Sequence, residues 1–295
     1  MRRDGLLILD FLSPESLSIA RKVRGERVYC TVLPCTAPLS AILKQKPLGI
    51  ILAGGAEDAY EPGAADCDPA IYDLGVPLLG VGSGARLLAK HLGARRLRAD
   101  VEPHSAHVSL EPSPLFSGLG GLERYFPRLD ELDLPETLVP IARDDSGRVV
   151  AFADGAGGRY GMQFTAEQND PDGLAILRNF ACGICGCEQW WSMGAFIEKA
   201  VDDIREAVGE GSALMTVSGG VDSAVCAALM HRAIGARMHC VHIDTGLMRK
   251  GETRLVAQWF REAMGIELQY VDAAERFLAR LAGVVEPEEK RRVIG

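Results

Sequence analysis

The sequence contains no apolar run long enough to cross a bilayer and no excess of basic residues. A membrane-spanning helix needs about 20 consecutive apolar residues, and the segment after Met1 also lacks the apolar core of a secretory signal. The net charge of −8 and the pI near 5.4 argue against a surface that binds nucleic acid or anionic lipid. We therefore expect a cytoplasmic protein with no nucleic-acid partner and no membrane partner.

The composition is that of a globular protein, with 47% apolar and 24% charged residues in a chain of 295. This length is sufficient for about two domains. Of the eight cysteines, only those in Cys182-Gly-Ile-Cys185-Gly-Cys187 suggest a metal site. A second ligand pair at zinc spacing is missing, because His239 and His242 fall within a predicted strand. We therefore expect reduced structural thiols.

Short apolar strands alternate with helical patterns along the first part of the chain. This alternation predicts an α/β fold with parallel strands and helices on both faces of the sheet. From Val101 to Phe164 the pattern changes to short strands and Pro/Gly turns, which favours a more antiparallel section. The predicted strands and helices are Leu6–Asp10, Pro14–Gly25, Val28–Val32, Leu39–Leu43, Gly49–Ala53, Val76–Val81, Gly84–Leu92, Val149–Ala153 and Arg159–Phe164.

Three segments of this part resemble the class I glutamine amidotransferase family. Ile50-Ile-Leu-Ala-Gly-Gly55 is similar to the segment that supplies an oxyanion-hole amide in that family. Gly80-Val-Gly-Ser-Gly-Ala-Arg86 is similar to the nucleophile elbow, and Gly161-Met-Gln-Phe-Thr-Ala-Glu167 to the segment that carries the catalytic histidine and glutamate. The resemblance implies an amidotransferase-like domain over residues 1–185.

The residues that perform the amidotransferase reaction are replaced in this chain. Gly82 stands at the position of the nucleophilic cysteine and Thr165 at that of the histidine base, whereas Glu167 is retained. Amide hydrolysis of this type needs a thiolate and a proton-shuttling imidazole. Arg86 replaces the glutamine after the elbow, and Ser83 lies one position away from the nucleophile site. We predict a domain without glutaminase activity that serves for packing and docking.

A second set of residues, Ala213 to Met230, has the pattern of a phosphate-binding loop. A short apolar strand, Ala213–Val217, leads into the turn Ser218-Gly-Gly220, and a helical pattern runs from Val221 to about Ile234. A strand, a glycine-rich turn and a helix N-terminus together present backbone N–H groups to an anion. Five apolar residues of this helical pattern lie on roughly one face, and they are Val221, Val225, Ala228, Leu229 and Met230.

The motif Ser218-Gly-Gly-Val-Asp-Ser223 resembles the pyrophosphate-binding loop of the ATP pyrophosphatases and lacks the lysine of a Walker loop. The resemblance implies a second doubly wound, mostly parallel domain of the adenine nucleotide alpha-hydrolase type over residues 186–295. Asp244 ends the predicted strand Met238–Asp244, and we expect it near the loop, because ligands lie beyond the carboxyl ends of parallel strands. The implied ATP-binding residues are Ser218, Gly219, Gly220, Val221, Asp222, Ser223, Ala224 and Asp244.

The stretches His242–Glu252, Asp272–Leu278 and Glu286–Gly295 resemble the GMP synthetase family. This resemblance implies that ATP and Mg²⁺ adenylate xanthosine monophosphate (XMP), that ammonia displaces AMP to give GMP, and that pyrophosphate leaves. Asp222 would be a Mg²⁺ ligand, and the backbone of Val241–Asp244 would face the adenine. Electrostatic stabilisation of the departing pyrophosphate is what such a loop contributes.

The family continues beyond the point that corresponds to Gly295, so we expect either a truncated sequence or a separate chain that supplies the remaining pyrophosphatase and dimerisation segments. Two alternatives stay open. One is a non-catalytic nucleotide-binding or regulatory module, which the replaced triad favours. The other is a different adenylating ligase, such as a sulfur-transfer or NAD-forming enzyme, which the Leu247-Met-Arg-Lys250 stretch disfavours.

Overall fold

The computed structural model of the protein divides into two compact units, Met1–Ser192 and Met193–Gly295. The sequence analysis placed this boundary between residues 185 and 186. In the part of the chain that is described, no helix is long and apolar enough to span a membrane. The structure describes residues 5–54, 58–61, 63–156, 158–165 and 170–295.

The first unit begins with alternating strands and helices. Their bounds are β1 Leu6–Asp10, α1 Pro14–Gly25, β2 Cys30–Pro34, α2 Leu39–Lys44, β3 Gly49–Ala53, β4 Leu78–Val81 and α3 Ser83–His91. The chain then forms β5 Arg95–Val101, β6 His104–Leu110, β7 Leu122–Phe126, β8 Leu129–Asp133, β9 Leu138–Asp144, β10 Val149–Asp154, β11 Arg159–Met162 and α4 Pro171–Arg178.

Most of these strands form one sheet in the order β2-β1-β3-β4-β11-β10-β9-β6-β7. The five strands from β2 to β11 pair in parallel, and the pairs from β11 to β7 are antiparallel. Strands β5 and β8 form a separate antiparallel pair. The predicted α/β class is therefore confirmed for this unit, together with the predicted change to antiparallel pairing.

Alternate residues of the central strands are buried on opposite faces of this sheet. Ile8 and Ile51 belong to one core cluster, with residues of α1 and α4, whereas Leu7 and Ile50 belong to the other, with residues of α2 and α3. Full burial of each such side chain contributes about 1.5–3 kcal/mol. This two-sided burial explains why β1 and β3 are continuously apolar.

The second unit contains a three-stranded parallel sheet in the order β12-β13-β14. Its elements are α5 Met193–Val208, β12 Ala213–Thr216, α6 Val221–Ile234, β13 Met238–Asp244, α7 Glu252–Met264, β14 Leu268–Asp272, α8 Ala274–Leu281 and α9 Pro287–Ile294.

Helix α6 buries only part of its apolar face. Val221 is 78% exposed and Val225 is 52% exposed, whereas Ala224 and Ala227 are buried in the core cluster with Phe260. Leu229 and Met230 are partly buried against the same cluster. The core contact of α6 is therefore made by its alanines together with these two larger side chains, and not by the two valines.

Candidate functional site

The turn between β4 and α3 has the geometry of a nucleophile elbow, although it carries no nucleophile. Gly82 adopts φ 61° and ψ −120°, a conformation that is strained for residues with a side chain. Its N–H donates to the Met162 carbonyl at 2.9 Å, which ties the turn to the end of β11. The backbone therefore holds position 82 in a fixed orientation.

Position 82 faces a cavity of about 310 Å³. A Cβ atom added at Gly82 would lie 3.6 Å from Cγ2 of Thr165 and 3.6 Å from Oε2 of Glu15. The structure thus brings together the two positions that replace the predicted triad, Gly82 and Thr165. Glu167 and Gly55 lie outside the described residues. The described lining is Leu12, Ser13, Pro14, Glu15, Gly54, Gly82, Ser83, Arg86, Pro127, Arg128, Gln163 and Thr165.

This described lining includes no thiol and no imidazole. Three histidines that could substitute for the missing base make other contacts. His91 stacks on Tyr72 at 3.7 Å between ring centroids, and His104 stacks on Phe126 at 5.5 Å. The Nδ1 atom of His107 lies 2.9 Å from the Glu123 carboxylate. Among the described residues, the cavity therefore contains hydroxyl, carboxylate, amide and guanidinium groups instead of a nucleophile and a base.

Arg86, which follows the elbow, forms a buried ion pair. Its Nε atom lies 3.8 Å from Oδ2 of Asp130, and both side chains are almost completely buried. The Gln163 side chain holds the Asp130 backbone at both its N–H and its carbonyl, at 3.1 and 2.9 Å. The positive charge of Arg86 thus neutralises a carboxylate that is buried inside the unit.

A second ion-pair group lies beside the first. Asp58 bonds to Arg96 and lies 2.9 Å from Arg128, while Arg96 also lies 3.9 Å from Asp130. Burial alone would raise the pKa of Asp58, but the hydrogen bond and charge of Arg96 and the charge of Arg128 hold it below its usual value. The sequence analysis missed Glu15, Asp58 and Asp130. Strand β8 contains three acidic residues and two leucines, and its sequence does not distinguish Asp130 from the other two acidic residues.

The loop before α6 presents donors to solvent. Gly220 precedes the helix without a side-chain cap, and the residues from Ser218 to Asp222 are exposed. The hydroxyl groups of Ser218 and Ser223 lie 3.3 Å apart. Gly219 has φ 86°, and a Cβ atom added there would lie 2.7 Å from Cγ2 of Val256. This arrangement leaves the first N–H groups of a long helix available to an anion.

Asp244 lies at a different cavity, of about 790 Å³, whose described lining includes Thr253 and Tyr270 but no residue of the loop. Its carboxylate accepts hydrogen bonds from the Gly246 N–H at 2.9 Å, Thr253 Oγ1 at 3.0 Å and the Tyr270 hydroxyl at 3.3 Å. The Gly246 and Thr253 donors are the main reason that the pKa of Asp244 is lowered. Val241 lies closer to the loop, because its carbonyl accepts from the Val217 N–H at 2.9 Å.

The eight cysteines all lie in described segments, and each of them is a free thiol. Burial raises the pKa of the Cys185 thiol, with smaller contributions from Cys187 and Cys182. Within the described ranges, no group of three or more His, Cys, Asp or Glu side chains is placed to hold a metal ion.

Comparisons with known proteins agree with this geometry. The family model described as glutamine amidotransferase class-I matches residues 7–183. A Gloeobacter violaceus protein named GMP synthase [glutamine-hydrolyzing] is 41% identical over 100% of this chain and 54% of its own length. A protein of the same name from Heliobacterium modesticaldum is 40% identical over 98% of this chain and 58% of its own length. The chain thus spans about half the length of these relatives.

One solved structure shows the same fold in the first unit. A Thermoplasma acidophilum protein, described as one of the subunits of a GMP synthase, superposes with a TM-score of 0.55 at 24% identity. The match covers 66% of this chain and 98% of that protein. The elbow, the sheet order and the family match over residues 7–183 lead to one conclusion: the chain belongs to the class I glutamine amidotransferase family.

Proposed function

We propose that this chain is part of a GMP synthase that aminates XMP with free ammonia, or with ammonia from a partner, and that its amidotransferase unit does not hydrolyse glutamine. The observation that carries the proposal is the exposed, uncapped loop Ser218–Ser223 in a chain that is 41% identical over its full length to a GMP synthase. The second unit is, in this proposal, the N-terminal part of an ATP pyrophosphatase domain.

The loop would hold the pyrophosphate of ATP. The N–H groups at the start of α6 and the hydroxyl groups of Ser218 and Ser223 would donate to phosphate oxygens, and Gly219 lets the backbone approach them. The carboxylate of Asp222 in the first helical turn suits Mg²⁺, which binds one or two carboxylates together with phosphate oxygens. When bound, Mg²⁺ would neutralise charge on the phosphates as pyrophosphate departs. The backbone from Val241 to Asp244 would face the adenine.

The loss of glutaminase activity rests on two replaced positions. Glycine at position 82 offers no nucleophile, and threonine at position 165 offers no base of suitable pKa. Removal of the nucleophile of a catalytic triad lowers kcat by on the order of 10⁶. Glu15 does not substitute for the missing nucleophile, since a carboxylate is a poor nucleophile toward an amide.

Completion of the ATP and XMP sites would require polypeptide that corresponds to the remaining length of the relatives, of which this chain covers 54–58% in the two described above. We propose that this polypeptide supplies further contacts to ATP and the contacts to XMP, as a continuation or as a separate chain. The test therefore includes the unmatched part of the Gloeobacter violaceus protein as a candidate complement.

The test is XMP-dependent exchange between ATP and radiolabelled pyrophosphate, with Mg²⁺, in the presence and absence of that complement. Exchange that requires XMP is expected, and Asp222→Ala should lower it at least tenfold. Asp203→Ala, which removes an exposed carboxylate on α5 outside the loop, is the matched control. Glutamine should give no ammonia, whereas ammonium should support GMP formation. Ammonia release from glutamine would contradict the proposed loss of glutaminase activity.

A second candidate function is that of a non-catalytic nucleotide-binding module. The absence of a nucleophile and a base from the described lining of the cavity favours it. ATP binding without exchange, with every tested complement, would support this module and reject the synthase. The whole-length similarity to GMP synthases makes a sulfur-transfer or NAD-forming ligase the weakest alternative.

A further inference from the structure

Glu15 lines the cavity beside the elbow. Its Oε2 atom is 3.6 Å from the position of a Cβ atom added at Gly82, and also 3.6 Å from one added at Gly54. Gly82 marks the elbow, and Gly54 marks the end of β3, the segment that resembles the oxyanion-hole strand. The carboxylate therefore lies between the two backbone segments that surround a reacting amide in the family.

The turn between β1 and α1 determines this placement. Ser13 caps α1 by accepting a hydrogen bond from the Glu15 N–H at 3.3 Å, and Pro14 occupies the first helical turn. Leu12 has φ 59°, an uncommon conformation for a leucine. Ser13 also packs closely on Gly54. A Cβ atom added at Gly54 would lie only 2.3 Å from the Cβ atom of Ser13. The backbone of this turn and the cap at Ser13 therefore fix the point from which the Glu15 side chain extends.

The described lining of the cavity carries two guanidinium groups, Arg86 and Arg128, and the Glu15 carboxylate, and each guanidinium also lies beside a carboxylate outside the lining. Burial raises the pKa of Glu15, and the charge of Arg86 partly opposes this effect. Arg86 is shared with the buried Asp130. Arg128 likewise lies beside Asp58, which also bonds to Arg96, and Arg96 lies 3.9 Å from Asp130. The charged groups in and beside the lining are thus Arg86, Arg96, Arg128, Asp58, Asp130 and Glu15.

One buried hydroxyl in the same lining has no partner. The Oγ atom of Ser83 makes no hydrogen bond within the described part of the chain, although Ser83 is only 7% exposed. It lines the cavity with Glu15 and Thr165.

We propose that Glu15 is a second barrier to amide hydrolysis, separate from the missing nucleophile and base, because its carboxylate occupies the place where negative charge develops in that reaction. This inference deepens the proposed loss of glutaminase activity and rests on it. A thiolate nucleophile and a tetrahedral oxyanion are both anions, and like charges a few ångströms apart repel strongly in a partly buried site. If only the thiol and the imidazole were restored, the Glu15 carboxylate would therefore still repel the thiolate and the oxyanion.

The test introduces a thiol beside Glu15 and measures its reactivity. Gly82→Cys is compared with Gly82→Cys/Glu15→Gln by iodoacetamide alkylation across a range of pH, with mass-spectrometric mapping of position 82. Because the thiolate is the reactive form, the rate at pH 7 should be about tenfold higher without the carboxylate, which corresponds to one pKa unit. Gly82→Cys/Glu111→Gln, which removes an exposed carboxylate outside the cavity lining, is the matched control.

A second thiol avoids the positive φ of position 82 in case Gly82→Cys does not fold. Thr165→Cys places sulfur at the other side of the cavity, and the same comparison with Glu15→Gln should show an increase of at least threefold. Equal rates with and without Glu15, at both positions, would overturn the inference. Ammonia release by the parent protein would instead contradict the proposed function, so the two failures are distinguishable.

Discussion

At the scale of single residues, Glu15 shows how local and tertiary requirements act on one side chain. An acidic residue in the first turn of α1 is favourable for the helix, because it faces the positive end of the helix dipole. The same side chain is half-buried at the cavity, where ionisation is disfavoured, and burial is the larger effect on its pKa. The folded protein therefore tolerates an unfavourable charge at this position.

This conflict predicts a pH-dependent effect of Glu15→Gln. The pKa of Glu15 is raised above 4.5 in the folded state. Below that pH the carboxyl is protonated in both states, and as pH rises the unfolded state releases its proton first, so the parent loses stability. The free energy of unfolding of Glu15→Gln should therefore increase relative to the parent between pH 4 and pH 7.

Urea denaturation at a series of pH values measures this difference, and Glu111→Gln serves as the comparison for loss of an exposed carboxylate. A Glu15→Gln variant whose advantage shrinks as pH rises would reject the assigned direction of the pKa shift.

At the scale of elements, the geometry of the loop before α6 depends on how that helix packs. The buried alanines on one side of the helix allow close packing, and the positive φ of Gly219 turns the chain out of β12 toward the helix N-terminus. Val256 on α7 occupies the space that a side chain at position 219 would need. The orientation of the donors in the loop thus depends on packing between two helices.

Gly219→Ala should lower the affinity for ATP at least tenfold. The added Cβ atom would meet Val256 at 2.7 Å, and a φ of 86° adds strain of about 1–3 kcal/mol. Gly235→Ala is a matched control, since Gly235 has φ 56° at the other end of α6 but no atom near its Cβ position. It should lower stability while retaining ATP affinity. Isothermal titration calorimetry with ATP and Mg²⁺ distinguishes the two variants, and equal affinity for both would argue against the loop as the ATP site.

At the scale of the whole molecule, each unit has its own hydrophobic core. Ile8, Ile51 and the surrounding residues form the interior of the first unit, and Ala227 and Phe260 belong to the interior of the second. The first unit also contains the buried pair Arg86–Asp130. A change inside one core is therefore expected to act on the unit that contains it.

Arg86→Met should lower the stability of the first unit by about 3–5 kcal/mol, because it removes one partner of a buried ion pair. Asp130 also lies 3.9 Å from Arg96. Arg95→Ala removes a pair whose arginine is 81% exposed, and it should change stability by less than about 1 kcal/mol. Calorimetric unfolding should show the transition of the first unit shifted and that of the second retained. An unchanged first transition would contradict the assigned burial of the pair.

Much of the secondary structure followed from the sequence because its signals are local. The bounds of β1, α1, β3, α6 and β13 agree with the predictions from apolar periodicity and from glycine and proline positions. The loop at Ser218 could also be located from its pattern of strand, glycine turn and helix, and the elbow from its resemblance to the family motif. The replaced residues at positions 82 and 165 were equally evident.

Tertiary structure alone decided which groups meet at the candidate site. Glu15, Arg86 and Asp130 come from three distant segments, and neither periodicity nor spacing relates them. Which residues of α6 are buried likewise depended on the elements packed against the helix, since Ala224 and Ala227 lie in the core cluster whereas Val221 and Val225 are exposed. Local backbone preferences and glycine turns thus follow from the sequence by itself, whereas burial, charge pairing and the position of Glu15 at the elbow depend on contacts between residues far apart in the chain.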